Sequence, residues 1–257
     1  NLFYGQYSRT DSYFSNSELA ASGLPTGKEL AILEPYRDRI PEAVFTEAFV
    51  LPATDGSGNV RDNLRTARNM LADAGWTIQD GKLTNGQSGE VMTIEFLLVS
   101  PAFERIVGPV VQNLERLGID AKIRTVDASQ YQNRMNTYDF DMVVFWARQS
   151  ASPGNEQRDF FSSVAGANDG SRNVAGVADP VVDELIEELI VAPDRETLVA
   201  ATKALDRVLL HGHYVIPNWH SKSFRLVYWN KFGKPGKLPA YHHGFPEIWW
   251  LDTEKSA

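Results

Sequence analysis

Residues 92–126 carry the pattern that most narrows what this chain can become. A largely apolar run at 92–99 is followed by helical periodicity over 102–117, closed by Gly118. Then Ile119, Ala121, Ile123 and Thr125 alternate with Asp120, Lys122, Arg124 and Val126. Strand, helix, strand in that order is a βαβ unit, whose crossover joins two parallel strands with a right hand. A further helix is expected over 129–137, capped by Asp127 or Ser129, and a buried strand over 140–146, so a second crossover follows the first. The chain therefore reads as α/β, with a mixed sheet flanked by helices.

Around this centre the local signals are helical. Leu64, Ala67, Met70, Leu71 and Ala74 fall on one face of a helix over 61–74, and Gly75 supplies its stop. Residues 76–83 read as a hairpin turning at Asp80-Gly81. A short helix is expected over 155–162. Asp179-Pro180 places an N-cap before a proline at N1 and opens a helix to 191; Pro193-Asp194 breaks it and caps another to about 210, giving a helical hairpin. Residues 1–60 are irregular, with short helices expected at 17–21 and 26–34. Thr26 and Glu29 have capping-box spacing there, and Pro35 should end the second helix. Beyond 210, strands are expected at 214–220 and 224–228, before a tail of Gly, Pro and aromatics from Lys231.

Composition removes several classes of function. With 33 acidic against 25 basic residues and a net charge of −8, no basic block marks a nucleic-acid groove or an anionic-membrane surface. No apolar run approaches the 18 or so residues of a membrane span. The absence of cysteine excludes disulfides, Cys-ligated zinc, iron–sulfur ligation and thiol catalysis in this chain. His211, His213, His220, His242 and His243 form no metal-ligand motif, so neither metal nor cofactor is expected. Gly56-Ser57-Gly58 lacks both the preceding strand and the Lys-Ser/Thr ending of a phosphate loop and reads as a turn. No nucleophile elbow is present, and Glu184, Glu187 and Glu188 read as the solvated face of a helix. An enzyme is not the favoured reading; a peptidase or other hydrolase using scattered carboxylates is its alternative, and a docking module built on the helical hairpin a third. Asn1 is not an initiator methionine and no signal-type apolar segment follows it, so a mature form or an internal piece is expected.

One stretch offers binding chemistry: Trp146-Ala147-Arg148-Gln149-Ser150-Ala151-Ser152-Pro153-Gly154-Asn155-Glu156, directly after the expected strand. Ligands of open α/β sheets favour the carboxyl ends of strands, and here an aromatic plate, a cation and neutral hydrogen-bonding groups coincide. The residues alone leave two readings open. In one this is a ligand loop; in the other Trp146 fills the core and Arg148 pairs with a surface acid.

The order of several short runs carries a resemblance. They are Phe3-Tyr4-Gly5-Gln6-Tyr7-Ser8-Arg9-Thr10-Asp11-Ser12-Tyr13-Phe14, Asn16-Ser17-Glu18-Leu19-Ala20-Ala21-Ser22-Gly23-Leu24-Pro25, and the Ala72 to Trp76 helix end. Leu117-Gly118-Ile119, Tyr138-Asp139-Phe140-Asp141-Met142 and Ser152-Pro153-Gly154-Asn155-Glu156-Gln157 complete the set. Together they resemble the family 5 extracellular solute-binding proteins of ABC importers, most closely the Yej-type branch that binds oligopeptides and microcin C. The resemblance runs over essentially the whole chain but only to the C-terminal half of such proteins.

What it implies is the C-terminal lobe of a two-lobe, periplasmic-binding-protein-like fold of type II, peptide-binding subclass. Residues 1–220 would be the ligand-binding lobe. Residues 221–257 would be a return segment crossing the hinge to pack on an N-terminal lobe outside this chain, consistent with Phe224, Tyr228, Trp229, Phe232, Tyr241, Phe245, Trp249 and Trp250. Without that lobe the tail would be sticky or the chain would dimerise. The implied function is capture of oligopeptides or peptide-like solutes in the periplasm, or at the cell surface from a lipid anchor, and delivery to a cognate permease. Dipeptide-type relatives carry an acid soon after this loop's tryptophan, where this chain has Arg148-Gln149-Ser150. They also place an arginine for the peptide carboxylate where this chain has Leu97-Leu98-Val99-Ser100, so a free dipeptide is a poor ligand. The expected contacts are Trp146 as a stacking wall, Arg148 for a carboxylate or phosphate-like group, and Gln149, Ser150 and Asn155 as hydrogen-bonding groups. Tyr4, Tyr7, Arg9, Asn218, Trp219 and His220 follow as residues of the hinge and cleft floor.

Overall fold

The computed structural model describes residues 3, 5–223, 225–239 and 244–256. Tyr4, Phe224, Tyr241, His242 and His243, all singled out in the sequence, lie outside the described residues. The elements run β1 (Ser8–Arg9), α1 (Gly27–Leu33), α2 (Ala43–Thr46), α3 (Arg61–Asp73), β2 (Trp76–Gln79), β3 (Lys82–Asn85), β4 (Thr93–Leu98), α4 (Glu104–Glu115), β5 (Asp120–Thr125) and α5 (Ala128–Asn136). They continue with β6 (Met142–Val143), α6 (Glu156–Phe161), α7 (Ser163–Gly166), α8 (Pro180–Ile190), α9 (Arg195–His211), β7 (Trp219–His220), β8 (Phe232–Gly233), β9 (Trp250–Leu251) and α10 (Thr253–Ser256). Two compact units result: the described residues of Asn1–Tyr4, Val50–Ala147 and Asp159–Ala178 form one, and those of Gly5–Phe49, Arg148–Arg158 and Asp179–Ala257 the other.

The first unit holds the expected parallel sheet, in the order β5-β4-β6. Strands β4 and β5 pair in register from Thr93↔Asp120 to Leu98↔Thr125, with α4 as the crossover between them. The second crossover, through α5, brings β6 to the other side of β4 at Phe96↔Met142 and Leu97↔Val143. The Asp127 carboxylate caps α5 by accepting from the Ser129 and Gln130 amides, each at 2.9 Å. Phe96, Leu98 and Val107 form one buried cluster and Leu83, Leu117, Ile119 and Ala121 another. Leu64, Ala67 and Leu71 of α3 pack on the second. Met70 does not join them: one residue before Leu71 is about 100° around a helix, and its side chain is exposed. The hairpin of β2 and β3 turns at Asp80 and Gly81, both with positive φ. Gly118 is required by geometry, because its φ is +83° and a Cβ there would stand 2.8 Å from the Leu83 nitrogen.

The strand expected over 140–146 is the main departure in this unit. Only Met142 and Val143 pair, and Phe145 and Trp146 are 45% and 67% exposed. The cause lies in the partner: β4 ends at Leu98 and the chain then turns at Ser100-Pro101, so beyond Val143 the ladder has almost nothing to pair with.

The second unit is built on the expected helical hairpin. Asp179 caps α8 through the Val181 amide at 2.8 Å, and Asp194 caps α9 through the Thr197 amide at 2.8 Å. Val181, Val182, Leu185, Ile186 and Leu189 of α8 are buried, as are Ala201, Ala204, Leu205, Val208 and Leu209 of α9. On the outer face Glu184 pairs with Arg39 at 2.7 Å and Glu187 with Arg158, both through two-pronged guanidinium contacts. Each arginine holds its carboxyl below the usual carboxylate range.

Between the apolar residues of α9 sit two fully buried charged side chains. Asp206 accepts from the Ser12 hydroxyl at 2.7 Å, the Tyr13 amide at 2.9 Å and the Ala21 amide at 2.8 Å. Arg207 donates to the Glu29 carboxylate at 2.7 Å and to the carbonyls of Gly23 and Ser22 at 2.7 and 3.2 Å. These side chains take the backbone bonds that residues 12–23 do not make among themselves, which is how an irregular segment lies on a helix without stranding buried polar groups. Burial pushes the Asp206 carboxyl up to about 6, against the pull of its three donors and of Arg207.

The same network accounts for departures near the N-terminus. Residues 17–21 form turns, not a helix, because Ser17 bonds back to the Phe14 carbonyl and the Ala21 amide goes to Asp206. Thr26 makes no side-chain cap, and Glu29 turns inward to Arg207 in place of closing a capping box. Pro35 does not end the coil at once but enters a 3-10 turn over Glu34–Tyr36. Of the strands expected after 210, only Trp219 and His220 pair, because β1 offers a two-residue partner; residues 225–228 are not strand. In the tail β8 pairs with β9, and Trp249 packs edge-on to Tyr228 and Phe245 at 4.6 and 4.9 Å. Val227, Trp229, Trp250 and Leu251 stay exposed.

Candidate functional site

The chain leaves the parallel sheet at the carboxyl end of β6, where ligand loops of α/β folds sit. Trp146, in the first unit, has no ring partner among the described residues, and two-thirds of it faces solvent. It does not fill the core. Arg148, in the second unit, is exposed and forms no ion pair among the described residues. Of the two readings that the residues left open, a buried tryptophan and a paired arginine do not describe this loop.

The rest of the loop is held firmly within its own unit. Gln157, fully buried on the first turn of α6, donates its amide to the Gln149 carbonyl oxygen at 2.8 Å. Ser150 Oγ accepts from the Ser152 amide at 2.8 Å, and the Glu156 carboxylate accepts from the Gly154 amide at 3.0 Å. The Asn155 side chain accepts from Arg158 at 2.6 Å, and Arg158 also grips Glu187. At the start of α9, Arg195 donates to the Ala151 carbonyl at 2.5 Å and to Glu18 at 3.0 Å. Gln149, Ser150 and Asn155 thus each hold a partner inside the loop, whereas the Trp146 ring and the Arg148 guanidinium point their chemistry outward. Within the second unit, a forked cation without an ion pair among the described residues suits recognition of a carboxylate or phosphate-like group.

A second group gathers on the short ladder of β1 and β7. Ser8 stands opposite His220 and Arg9 opposite Trp219, and the Thr10 amide donates to the Asn218 carbonyl at 3.1 Å. His220 Nδ1 lies 3.3 Å from Thr10 Oγ1, while its Nε2 is buried without a partner among the described residues. The ladder brings Tyr7, Arg9, Asn218, Trp219 and His220 into one place, and Tyr4 lies outside the described residues.

The other candidates have structural roles or none. His211 and His213 flank the Phe49 ring at 5.5 and 5.9 Å, and burial pushes the His211 imidazole down. No group of three or more potential metal ligands occurs among the described residues. Gly56 and Gly58 belong to a turn that Asp55 closes by accepting from the Ser57 amide at 2.9 Å. Sequence reasoning missed Gln157, Asp206 and Arg207. All three had a local signal, being polar residues at the buried positions of helices.

Comparison with known proteins adds the family. Residues 1–169 match the model of bacterial extracellular solute-binding proteins, family 5. The chain is 48% identical over 249 residues to uncharacterized protein y4wM of Sinorhizobium fredii, spanning 97% of this chain and 38% of that protein. It is 47% identical over 250 residues to the probable peptide-binding protein YejA of Agrobacterium fabrum, spanning 97% and 41%. The chain thus spans about two-fifths of the length of the curated relatives it matches. Among solved structures, the oligopeptide-binding protein AppA of Bacillus subtilis, in complex with a nonapeptide, superposes with a TM-score of 0.57 at 20% identity, over 88% of this chain and 45% of that one. That likeness gives the fold, as the resemblance implied: α/β, with a mixed sheet flanked by helices. With the family model matched over 169 of its 257 residues, the chain belongs to the bacterial extracellular solute-binding proteins of family 5.

Proposed function

We propose that the chain is part of the solute-binding component of an ABC importer, capturing oligopeptides or peptide-like solutes in the periplasm and passing them to a membrane permease. The observation that carries this reading is Arg148, exposed and in no ion pair among the described residues, on a loop where Ser150 and Asn155 already hold partners. Support comes from the YejA relative, named as peptide-binding, and from AppA, whose structure holds a nonapeptide. Trp146 stacks on the solute and Arg148 meets its anionic group, with Gln149, Ser150 and Asn155 lining the approach. Tyr7, Arg9, Asn218, Trp219 and His220 contribute from the ladder, and Tyr4 joins them on the sequence resemblance alone.

The mechanism is binding without bond chemistry. Residues 1–220 serve as one lobe of the full-length protein, and residues 221–257 pack on a second lobe outside this chain, covering Trp229 and Trp250. Solute contacts from both lobes favour the closed state, and that state is the one a permease recognises. Among the described residues no helix is long and apolar enough to cross a membrane. Isothermal calorimetry of the protein at its natural length against a pool of four- to six-residue peptides tests the reading. Saturable heat is expected; a flat trace would move the solute away from peptides.

A further inference from the structure

We propose that His211 is an acid-sensitive latch: while neutral it holds Phe49 and the end of α2 against α9, and on gaining a proton it releases them. The latch does not depend on which solute the protein binds.

The latch sits where the chain is about to leave the second unit. Helix α2 spans only Ala43–Thr46, far too short to persist without tertiary support, and the Glu47 amide closes its turn on the Ala43 carbonyl at 2.9 Å. Val44 and Phe45 are buried, whereas Thr46, Glu47 and Ala48 are exposed. Phe49 turns back inward and is partly buried; it is the last residue of this unit before the chain passes to Val50, which is 80% exposed. Its ring is flanked from the other end of the sequence. His211, in the last turn of α9, meets it edge-on at 5.5 Å with the planes 70° apart, and His213 lies tilted at 5.9 Å. His213 takes a φ of +53°, a left-handed backbone that residues with a Cβ rarely adopt, so its place beside Phe49 is held against local preference.

The two imidazoles differ in what a proton would meet. His213 is exposed, but His211 is partly buried and its Nε2 is shut from solvent with no hydrogen-bond partner among the described residues. A neutral ring can carry its one proton on Nδ1 and leave Nε2 bare; an imidazolium must donate from both nitrogens, and a desolvated cationic donor without an acceptor is costly. The groups around it do not supply a remedy. Arg207, one turn back on α9, opposes a second positive charge, in part offset by its own pairing with Glu29 of α1 at 2.7 Å, and His213 opposes it as well. Glu47, on the exposed end of α2, pulls the other way, while Asp179 at the start of α8 acts on Tyr214. The Phe49 ring attracts a cation only weakly. Burial leads, and it holds the His211 imidazole below its ordinary value of 6.5. The closed latch therefore takes up a proton less readily than the open one. Its hold is fully present above 6.5 and is lost as pH falls below that value.

Amide hydrogen exchange of the full-length protein at pH 7.5 and pH 5.5, corrected for the intrinsic rate at each, reads the latch in the peptide covering residues 43–49. Protection there should fall about two- to tenfold at pH 5.5, the upper figure being the limit for a group that titrates at 6.5 only when open. His211→Phe keeps a ring that cannot gain a proton and should be equally protected at both pH values, whereas His213→Gln should keep the wild-type response. Phe49→Ala should lose the protection at both. Asp206 cannot imitate the effect, because its carboxyl holds a proton more readily in the folded chain and acid tightens its contacts. If His211→Phe melts well below the wild type, His211→Gln, which also cannot charge, carries the same test. A wild-type change under about twofold, slower exchange in acid, a response that survives without His211, or protection that survives without Phe49 would each overturn the proposal.

Discussion

Replacing Asp206 by alanine should destabilise the second unit in a way that depends on pH with a defined sign. The carboxylate serves two backbone amides and one hydroxyl, all within 2.9 Å, on a side chain with no exposed surface. A buried donor left without a partner costs about 1–3 kcal/mol; the Ser12 hydroxyl can turn to another acceptor but the two amides cannot, so a loss of about 3 kcal/mol is expected at pH 7. Burial raises the folded-state carboxyl from 3.8 to about 6. Between those values the folded chain holds a proton that the unfolded chain releases. The Asp206 contribution is therefore fully present below the unfolded value and diminishes as pH rises through 6. Relative to the non-titrating alanine variant, the wild type should gain up to about 3 kcal/mol on going from pH 7 to pH 4. Urea unfolding followed by far-ultraviolet circular dichroism, run on both proteins at pH 4, 5, 6 and 7, reads the gap directly. A gap that stays constant or narrows toward acid would refute the reasoning, because the three donors would then outweigh burial.

Other substitutions test neighbouring claims. Glu29→Gln leaves Arg207 buried with its charge uncompensated and should cost about 3–5 kcal/mol in the same urea assay; a loss below about 1 would mean the two carbonyl contacts suffice. Arg158→Ala removes a half-exposed ion pair and should leave the urea midpoint almost unchanged, with a marked drop pointing to the Asn155 contact as structural. Gln157→Ala removes the buried amide that positions Gln149, so amide hydrogen exchange over residues 149–154 should quicken while α8 and α9 keep their protection. Peptides incubated with the full-length protein should be recovered uncut by mass spectrometry; a defined cleavage product would revive the hydrolase alternative.

The parallel sheet was readable because its signals are local. Apolar periodicity places β4, α4 and β5, the caps Asp127, Asp179 and Asp194 fix helix starts within a few residues, and Asp80-Gly81 has the backbone that a two-residue hairpin turn needs. What depends on a distant partner was not. The length of β6 is set by where β4 stops, and a run as apolar as Met142 to Trp146 does not reveal that its partner has turned away. Asp206 and Arg207 read as polar positions on an amphipathic helix, yet their partners lie nearly two hundred residues earlier, in a segment whose irregular fold they support. The loop residues were chosen from composition, and composition could not distinguish Gln149, Ser150 and Asn155, which hold partners in the loop, from Arg148, which does not.

The most direct test of the central claim is calorimetric titration of the full-length protein and its Arg148→Ala variant with one pool of short peptides, alongside their thermal melts. The account predicts saturable binding by the wild type, an affinity lowered about tenfold or more in the variant, and melting temperatures that agree, since Arg148 is exposed and pairs with no acid among the described residues. An unchanged dissociation constant in the variant would remove Arg148 from the site and, with it, the loop after β6 as the place where solute is held.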